Sequence, residues 1–336
     1  MVYTVHLGRW EVSLDQEKSI AEDVEQRDQI ERAKERKWTG RSRGNPLGYR
    51  IFAWLLQFFG LRAAYTLLFF VGMYYMFFAP STLRASSEYL QKIHGPLPWW
   101  KRLWMNYNHI LYFGQVIIDR MAGAMGVIGT QLHFTEDGVE KIEEMMQLDT
   151  GAILLSAHVG NWDLAGRMLT GKVDKKIHVV MLQAEAEQLQ GFFDSINSQP
   201  SFEIIPIQEG MSAVMKIISA LEKGDIVCLH GDRSLEGGRT VTAAFLGQNA
   251  AFPLLPFMLS SSLEVPVYHM FATKKTWTQY DLKATGPHLC ERLQGESKQD
   301  ARKRWVQFYV EQLEHIVKKY PYQWFNFYPF WDGEES

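Results

Sequence analysis

The sequence predicts an α/β protein in which a central mixed sheet is flanked by helices and preceded by a hydrophobic, membrane-associated helical region. Two observations predict this arrangement. From about Thr150 onward, short apolar runs alternate with helical patterns, as expected for strands covered on both faces of a sheet. Upstream, the segment between Arg62 and Arg84 contains no charged residue. It is long enough for a bilayer-spanning helix, which needs about 20 mostly apolar residues.

The predicted strands are short runs of apolar residues. They are Gly151–Ser156, Ile177–Leu182, Glu203–Ile207, Asp225–His230 and Val265–Ala272. A helix is predicted over Met211–Lys223, because its apolar residues recur at helical spacing. This alternation of strands and helices indicates the α/β class.

The hydrophobic region is predicted to contain two apolar helices. The first covers Ile51–Leu61 and is expected to stop at Gly60, since glycine commonly ends a helix. Basic residues flank the region on both sides, whereas a single crossing usually has them on one side. The pattern fits two helices that dip into one leaflet, or one tilted helix. A helical hairpin buried in a soluble core is the alternative.

The chain divides into three predicted parts. Residues 1–45 form a polar arm, in which Leu14–Lys37 has the spacing of an exposed, weakly amphipathic helix, with a solvated arm as the alternative. Residues 46–125 form the membrane-associated helical region, and residues 126–332 form the α/β domain. The first thirty residues are dense in charge and lack an apolar core, so no cleavable signal peptide is expected.

Composition and missing motifs exclude several classes of function. The formal net charge of −3 argues against nucleic acid as a partner, because phosphate binding favours a basic domain. The two cysteines, Cys228 and Cys290, are few enough to suggest a reducing compartment. The sequence contains no Walker loop, Gly-x-Gly-x-x-Gly fingerprint, Gly-x-Ser-x-Gly elbow, His-x-x-x-His pair or Cys-x-x-Cys pair. We therefore expect no metal and no cofactor.

The residues with the clearest chemical potential directly follow the first predicted strand. His158 is expected at the carboxyl end of that strand, where α/β proteins place their ligand sites. Gly160 permits a tight turn, the next helix is expected to begin near Asn161, and Asp163 falls in its first turn. A neutral His158 can accept the proton of an attacking hydroxyl or amine. The carboxylate of Asp163 is expected to fix the tautomer of the imidazole and to stabilise its charged form.

The spacing of His158 and Asp163 is not specific by itself. A histidine and an aspartate five positions apart occur by chance in many proteins. The alternative interpretation is a helix-capping Asp163 beside a structural histidine. The position after a buried strand favours the catalytic interpretation.

Residues 158–167 (HVGNWDLAGR) resemble the signature of the bacterial lipid A late acyltransferases, within the lysophospholipid acyltransferase superfamily. Further similar segments follow in the same order. These are residues 221–225 (LEKGD) with 230–233 (HGDR), residues 245–247 (FLG) with 250–253 (AAFP), and residues 320–324 (YPYQW). Upstream segments, including Phe113-Gly114 and Asp119-Arg120, are similar to a subgroup often associated with aryl-polyene or related lipids.

The resemblance implies an acyltransferase at the cytoplasmic face of the cell inner membrane. It implies an acyl-carrier-protein thioester as acyl donor and a membrane lipid or glycolipid as acceptor. By the same resemblance, His158 and Asp163 are catalytic. Arg167 and Arg233 are predicted to bind phosphate, since guanidinium groups suit bidentate contacts. Asn161 and Asp232 complete the predicted substrate-binding set, and Asp232 is expected to orient neighbouring groups.

Two rival functions remain open at this point. The first is a membrane-associated glycosyltransferase, with His158 as base and Asp232 near a nucleotide sugar. The second is a scaffold that keeps the fold without activity. A non-lipid-A acceptor is also open, because the region Gln183–Asn197 lacks an Arg-rich character.

An acidic acyl carrier protein predicts a basic docking surface on this chain. The candidate residues are Arg167, Arg233, Arg239, Lys172, Lys175 and Lys176. The lysine cluster is expected near the same edge of the sheet as His158. A solvated turn is the alternative for these lysines.

Overall fold

The computed structural model describes residues 46–127, 133–134, 138–163, 175–195, 202–233 and 238–331. The polar arm predicted for residues 1–45 lies outside these ranges, and so do Arg167 and Lys172.

The described part of the N-terminal region consists of three helices joined by short connections. Helix α1 covers Pro46–Phe78, α2 covers Pro80–His94 and α3 covers Trp99–Ala124. Gly60 interrupts α1 with non-helical backbone angles (φ 73°, ψ −172°), so two helices meet there. The prediction of a helix stop at Gly60 is confirmed, because the positive φ is easy for glycine and costly for other residues.

Much of the apolar surface of α1 is exposed in the part of the chain that the structure describes. One side packs against α3, so that Leu61, Ala64 and Leu68 are buried. The opposite side exposes large side chains: Trp54, Phe58, Phe59, Phe69, Phe70, Met73, Phe77 and Phe78. Among the described residues, α1 is the one helix with the length and composition to cross a bilayer. Of its apolar 18-residue stretch, 28% is buried inside the molecule. A helical hairpin buried in a soluble core does not describe this helix.

The remainder of the chain forms the α/β domain. Its strands are β1 His133–Phe134, β2 Ala152–Ser156, β3 Ile177–Met181, β4 Glu203–Pro206, β5 Ile226–His230, β6 Thr240–Phe245, β7 Gln248–Pro253, β8 Val267–Lys274 and β9 Gln279–His288. Its helices are α4 Val139–Met146, α5 Gln183–Ser195, α6 Met211–Glu222, α7 Leu255–Leu263 and α8 Lys298–Lys319. Residues 207–209 form a short 3₁₀ turn.

The described strands form a sheet in the order β1-β9-β8-β2-β5-β3-β4, with β6 and β7 as a separate hairpin. The sheet is mixed, because β9 runs antiparallel to β8 whereas β2, β3, β4, β5 and β8 run parallel. Both faces are covered. Alternate residues of β2 contribute to opposite cores, Ile153 and Leu155 to one and Ala152 and Leu154 to the other.

The predicted α/β class, the central mixed sheet and the flanking helices are confirmed. Each predicted strand corresponds to an observed strand, β2, β3, β4, β5 or β8, with bounds that differ by one or two residues. Strands β1, β6, β7 and β9 were not predicted. Polar and apolar residues mix in β9, whose burial alternates at its start, so it lacks the continuous apolar run used to recognise the other strands.

Candidate functional site

The site lies where two neighbouring parallel strands end. Strand β2 pairs with β5, and Ser156 at the end of β2 lies opposite His230 at the end of β5. His158 and Asp232 each follow two residues later. The register therefore brings these side chains to the same point beyond the sheet edge.

His158 is held by Asp232 through two hydrogen bonds. The imidazole Nδ1 donates to Oδ1 of Asp232 at 2.9 Å, and the backbone N–H of His158 donates to Oδ2 at 3.0 Å. Trp324 adds a third bond, from Nε1 to Oδ2 at 2.9 Å. A carboxylate on Nδ1 keeps the proton on that nitrogen, so Nε2 carries the lone pair. The sequence analysis assigned this support of the ring to Asp163, whereas the structure places Asp232 on Nδ1.

The charge on Asp232 is stabilised although the side chain is buried. Burial alone raises the pKa of this carboxyl group, but electrostatic attraction to His158, the hydrogen bond with its ring and the charge of Arg233 together lower the pKa well below its usual range. His230 lies beside the pair, with its ring centroid 4.3 Å from that of His158. Burial first, and then the electrostatic effect of the neighbouring His158, lower the pKa of His230 far below its ordinary value. His230 is therefore a neutral ring packed against His158.

Backbone hydrogen bonds fix the chain at His158 and at Gly160. Its carbonyl accepts a hydrogen bond from the N–H of Phe325 at 2.8 Å, and Gly160 N–H donates to the carbonyl of Gln323 at 2.9 Å. Gly160 has a φ of 58°, and a Cβ there would lie 1.9 Å from the carbonyl oxygen of Ala272. Only glycine fits this turn. Gly160 therefore permits the tight turn, as predicted, because any side chain there would clash with the carbonyl of Ala272.

Asp163 is the second helical residue after the turn, directly following Trp162, and is almost fully buried. Its Oδ2 lies 3.6 Å from Nε of Arg120 on α3. The guanidinium of Arg120 also lies over the ring of Trp162, 5.1 Å from its centroid. Trp162 in turn contacts His230, with ring centroids 5.3 Å apart. This chain of contacts ties the start of the helix to α3. A catalytic role for Asp163 stays a prediction.

A buried polar cluster fixes α3 against the sheet beside this contact. Asp119, the neighbour of Arg120, is fully buried and accepts hydrogen bonds from Lys274, Tyr280 and Tyr65. Burial opposes both the carboxylate and the ammonium, and their direct pairing offsets that cost. Because the cluster joins α1, α3, β8 and β9, it holds Arg120 in register with the site.

Arg233 and Glu185 line the Nε2 side of His158. Glu185 in the first turn of α5 has its Oε1 4.0 Å from Nε2 of His158 and 3.8 Å from Nη1 of Arg233. Arg233 also donates from Nη2 to the carbonyl of Phe325 at 2.9 Å and lies over the ring of Tyr328. The sequence analysis did not identify Glu185. The sequence feature that could have identified Glu185 is an acidic residue in a helix that begins just beyond the carboxyl end of β3.

The other predicted site residues have different surroundings. Asn161 is fully buried, and its side chain hydrogen bonds with that of Tyr280. This favours a positioning role for Asn161 over direct substrate contact. Substrate binding by Asn161, Arg167, Asp232 and Arg233 stays a prediction.

The expected position of the lysine cluster is wrong. Lys175 and Lys176 directly precede β3, whereas His158 follows β2, and both strands run parallel to β5. The lysines therefore lie at the opposite edge of the sheet from His158. Lys175 donates to the carbonyls of Thr150 and Gly224, and Lys176 pairs with Glu203 at 2.7 Å.

A small apolar cavity of about 30 Å³ lies beside the site. Its walls come from β2, β3 and β5, and include Leu154, Val179 and Cys228. Trp162, Phe202 and His230 also line the cavity. Burial raises the pKa of the Cys228 thiol to about 12, so this residue is an inert part of the wall. Within the described ranges, no group of three His, Cys, Asp or Glu side chains is arranged to hold a metal ion.

Two curated proteins are similar to this chain in sequence. The phosphatidylinositol mannoside acyltransferases of Mycobacterium tuberculosis strains H37Rv and CDC 1551 are each 27% identical to this chain over 135 residues. The matched segment covers 40% of this chain and 42% of each relative. The alignment thus spans less than half the length of these relatives.

A wider match covers the site and most of the α/β domain. Residues 113–332 match the sequence profile of the bacterial lipid A biosynthesis acyltransferases. The matched region contains His158, Asp163 and Asp232, together with α3 from Phe113 onward. It makes up more than half of the chain and confirms the resemblance noted from the sequence. The chain belongs to the bacterial lipid A biosynthesis acyltransferase family.

Proposed function

We propose that this chain transfers a fatty acyl group from an acyl-carrier-protein thioester to a hydroxyl group of a membrane glycolipid. The observation that carries the proposal is the pairing of His158 with Asp232. It leaves Nε2 of a neutral imidazole as the proton acceptor at the sheet edge. Family membership supports the acyl-transfer chemistry.

The proposed reaction proceeds by general base catalysis. Nε2 of His158 takes the proton of the acceptor hydroxyl while its oxygen attacks the thioester carbonyl. The negative charge of Asp232 stabilises the imidazolium that forms. The carbon–sulfur bond then breaks, and the imidazolium returns the proton to the leaving thiolate. The products are the acylated lipid and the free thiol of the carrier.

The surroundings of His158 suit these substrates. Arg233, and Arg167 by resemblance, are proposed to bind phosphate of the carrier's prosthetic arm or of the acceptor. Glu185 lies close enough to Nε2 of His158 to orient an acceptor hydroxyl. The carrier's docking surface is proposed on the His158 side of the sheet, away from Lys175 and Lys176.

The acceptor is proposed to be a glycolipid rather than lipid A in particular. The family takes its name from lipid A biosynthesis, whereas the two mycobacterial relatives are named for a mannoside of phosphatidylinositol. A lipid that carries a sugar headgroup is common to both names. The rival prediction of a glycosyltransferase receives no support from the family match.

We place the reaction at the cytoplasmic face of the inner membrane. One apolar helix and the family's membrane-lipid chemistry suggest membrane association. The exposed aromatic side of α1 would be buried by lipid, which removes its contact with water. This position presents the site to acceptors within the bilayer and to a carrier in the cytoplasm.

The test is acyl transfer by the purified chain with a labelled acyl-carrier-protein thioester and a bacterial lipid extract. His158→Ala should lower turnover about 10²–10⁴-fold, because the base is lost. The fold should remain, since the His158 side chain is partly exposed and its backbone bonds do not depend on the ring. A His158→Ala protein with near-native turnover would end the proposal. Mass spectrometry of the labelled product identifies the acceptor class.

A further inference from the structure

The first two turns of α3 present three tryptophans to the surface. Trp99, Trp100 and Trp104 are 69%, 60% and 61% exposed. Leu103 between them is 48% exposed. A contiguous exposed apolar patch of this kind marks an interaction surface. We call these four side chains the tryptophan turn.

The tryptophan turn is continuous with the apolar side of α1. The ring of Trp104 packs near that of Tyr107, and Tyr107 contacts Phe69 edge to face with centroids 5.6 Å apart. The hydroxyl of Tyr107 also donates to the carbonyl of Phe69 at 2.9 Å. Phe69 belongs to the exposed aromatic side of α1. Whatever covers that side of α1 therefore also reaches the tryptophan turn.

Positive charge is interleaved with these tryptophans. Lys101 and Arg102 are exposed, and the first turn of α3 contains no acidic residue. His94, in the last turn of α2, does not add to this charge, because burial first and then the charge of Lys101 lower its pKa. The amino end of a helix carries a partial positive charge as well. The surface is thus aromatic and cationic.

We propose that the tryptophan turn docks on an anionic phospholipid bilayer, with Lys101 and Arg102 against the lipid phosphates. Tryptophan favours the boundary between headgroups and acyl chains, where its ring is apolar and its N–H is hydrated. Lysine and arginine beside it are attracted to anionic headgroups. The inference rests on the proposed function only in taking a membrane as the site of the acceptor. Membrane docking and acyl transfer can each fail alone.

The test uses the full chain reconstituted into vesicles, with an environment-sensitive fluorophore on Trp100→Cys. The native thiols label poorly, because burial raises the pKa of Cys228 to about 12 and of Cys290 to about 11. Leu293→Cys, at a position 62% exposed in the loop before α8, is the matched control. With phosphatidylglycerol in the vesicles, the probe at position 100 should shift to the blue and be several-fold less quenched by aqueous iodide than the probe at position 293.

A charge variant separates the lipid phosphates from apolar contact alone. Lys101→Ala/Arg102→Ala should lower the equilibrium constant for docking on phosphatidylglycerol vesicles about 30-fold. Each basic residue near an anionic surface raises that constant about fivefold. Removing two exposed lysines of α8, Lys298→Ala/Lys303→Ala, should leave docking unchanged.

Three results would overturn the proposal. The first is that the probe at position 100 stays as accessible to iodide as the probe at position 293. The second is that the probe at position 100 is buried equally in vesicles of phosphatidylcholine alone. The third is that its burial changes with the ratio of protein to lipid, which would identify a second copy of the chain as the occupant. Acyl transfer by the unlabelled chain, measured separately, is not altered by any of these results.

Discussion

Replacing Asp232 by asparagine tests the central geometric claim about the site. Oδ2 of Asp232 accepts two N–H bonds, from His158 and Trp324, and Oδ1 faces Nδ1 of His158. Asparagine keeps the two N–H bonds only if its amide oxygen takes the place of Oδ2. Its NH₂ group then donates to Nδ1. The imidazole must carry its proton on Nε2, and the base is lost.

The magnitude follows from this change of tautomer. An amide in place of the carboxylate behind a catalytic histidine costs about 10⁴-fold in turnover. That factor corresponds to about 5 kcal/mol in the activation barrier. We expect Asp232→Asn to lower transfer from the acyl-carrier-protein thioester about 10³–10⁴-fold, measured under saturating donor.

Asp225→Asn is a matched control for this experiment. Asp225 precedes the same strand, β5, and Oδ2 of Asp225 lies 2.9 Å from Nε2 of His178, at the edge away from the site. Its replacement removes an Asp–His pair of the same length, so activity should stay near that of the native chain. Activity of Asp232→Asn above a tenth of native, or a loss shown only by Asp163→Asn, would refute the reasoning.

We also expect the effect of Asp232→Asn on stability to depend on pH. The pKa of Asp232 is lowered in the folded chain, so its carboxylate stabilises the fold above the unfolded pKa, about 3.9. That stabilisation is lost as pH falls through the lower, folded pKa. The difference in unfolding free energy between the native chain and Asp232→Asn should be constant above about pH 5 and shrink in acid. Denaturant titration measures it, and a constant difference down to strong acid would contradict the assignment.

Two other predictions follow from contacts around the site and from α1. Gly160→Ala should destabilise the fold by more than about 2 kcal/mol and abolish transfer, because the added Cβ meets the carbonyl of Ala272. Thermal unfolding measures this, and an unchanged melting temperature would contradict it. The chain should remain in the membrane fraction after a high-salt wash, because salt screens charge but does not expose the apolar side of α1. Recovery of most of the chain in the soluble fraction would contradict membrane association.

The sequence alone determined the elements of the fold whose signal is local. The continuous apolar runs predicted β2, β3, β4, β5 and β8, and the period of apolar residues predicted α6. The break in α1 at Gly60 was predictable too, since a glycine at a positive φ acts through its own backbone. The position of His158 directly after an apolar strand also indicated the site.

Only the tertiary structure decided which groups surround His158. Pairing between strands joins residues distant in the chain, and an apolar run gives no strand order or register. The insertion of β5 between β2 and β3 brings Asp232 to Nδ1 of His158, although 74 residues separate them. The direction of β3 carries Lys175 and Lys176 to the far edge. The fold of α3 against β8 and β9 places Arg120 beside Asp163, because Asp119 is locked to Lys274 and Tyr280.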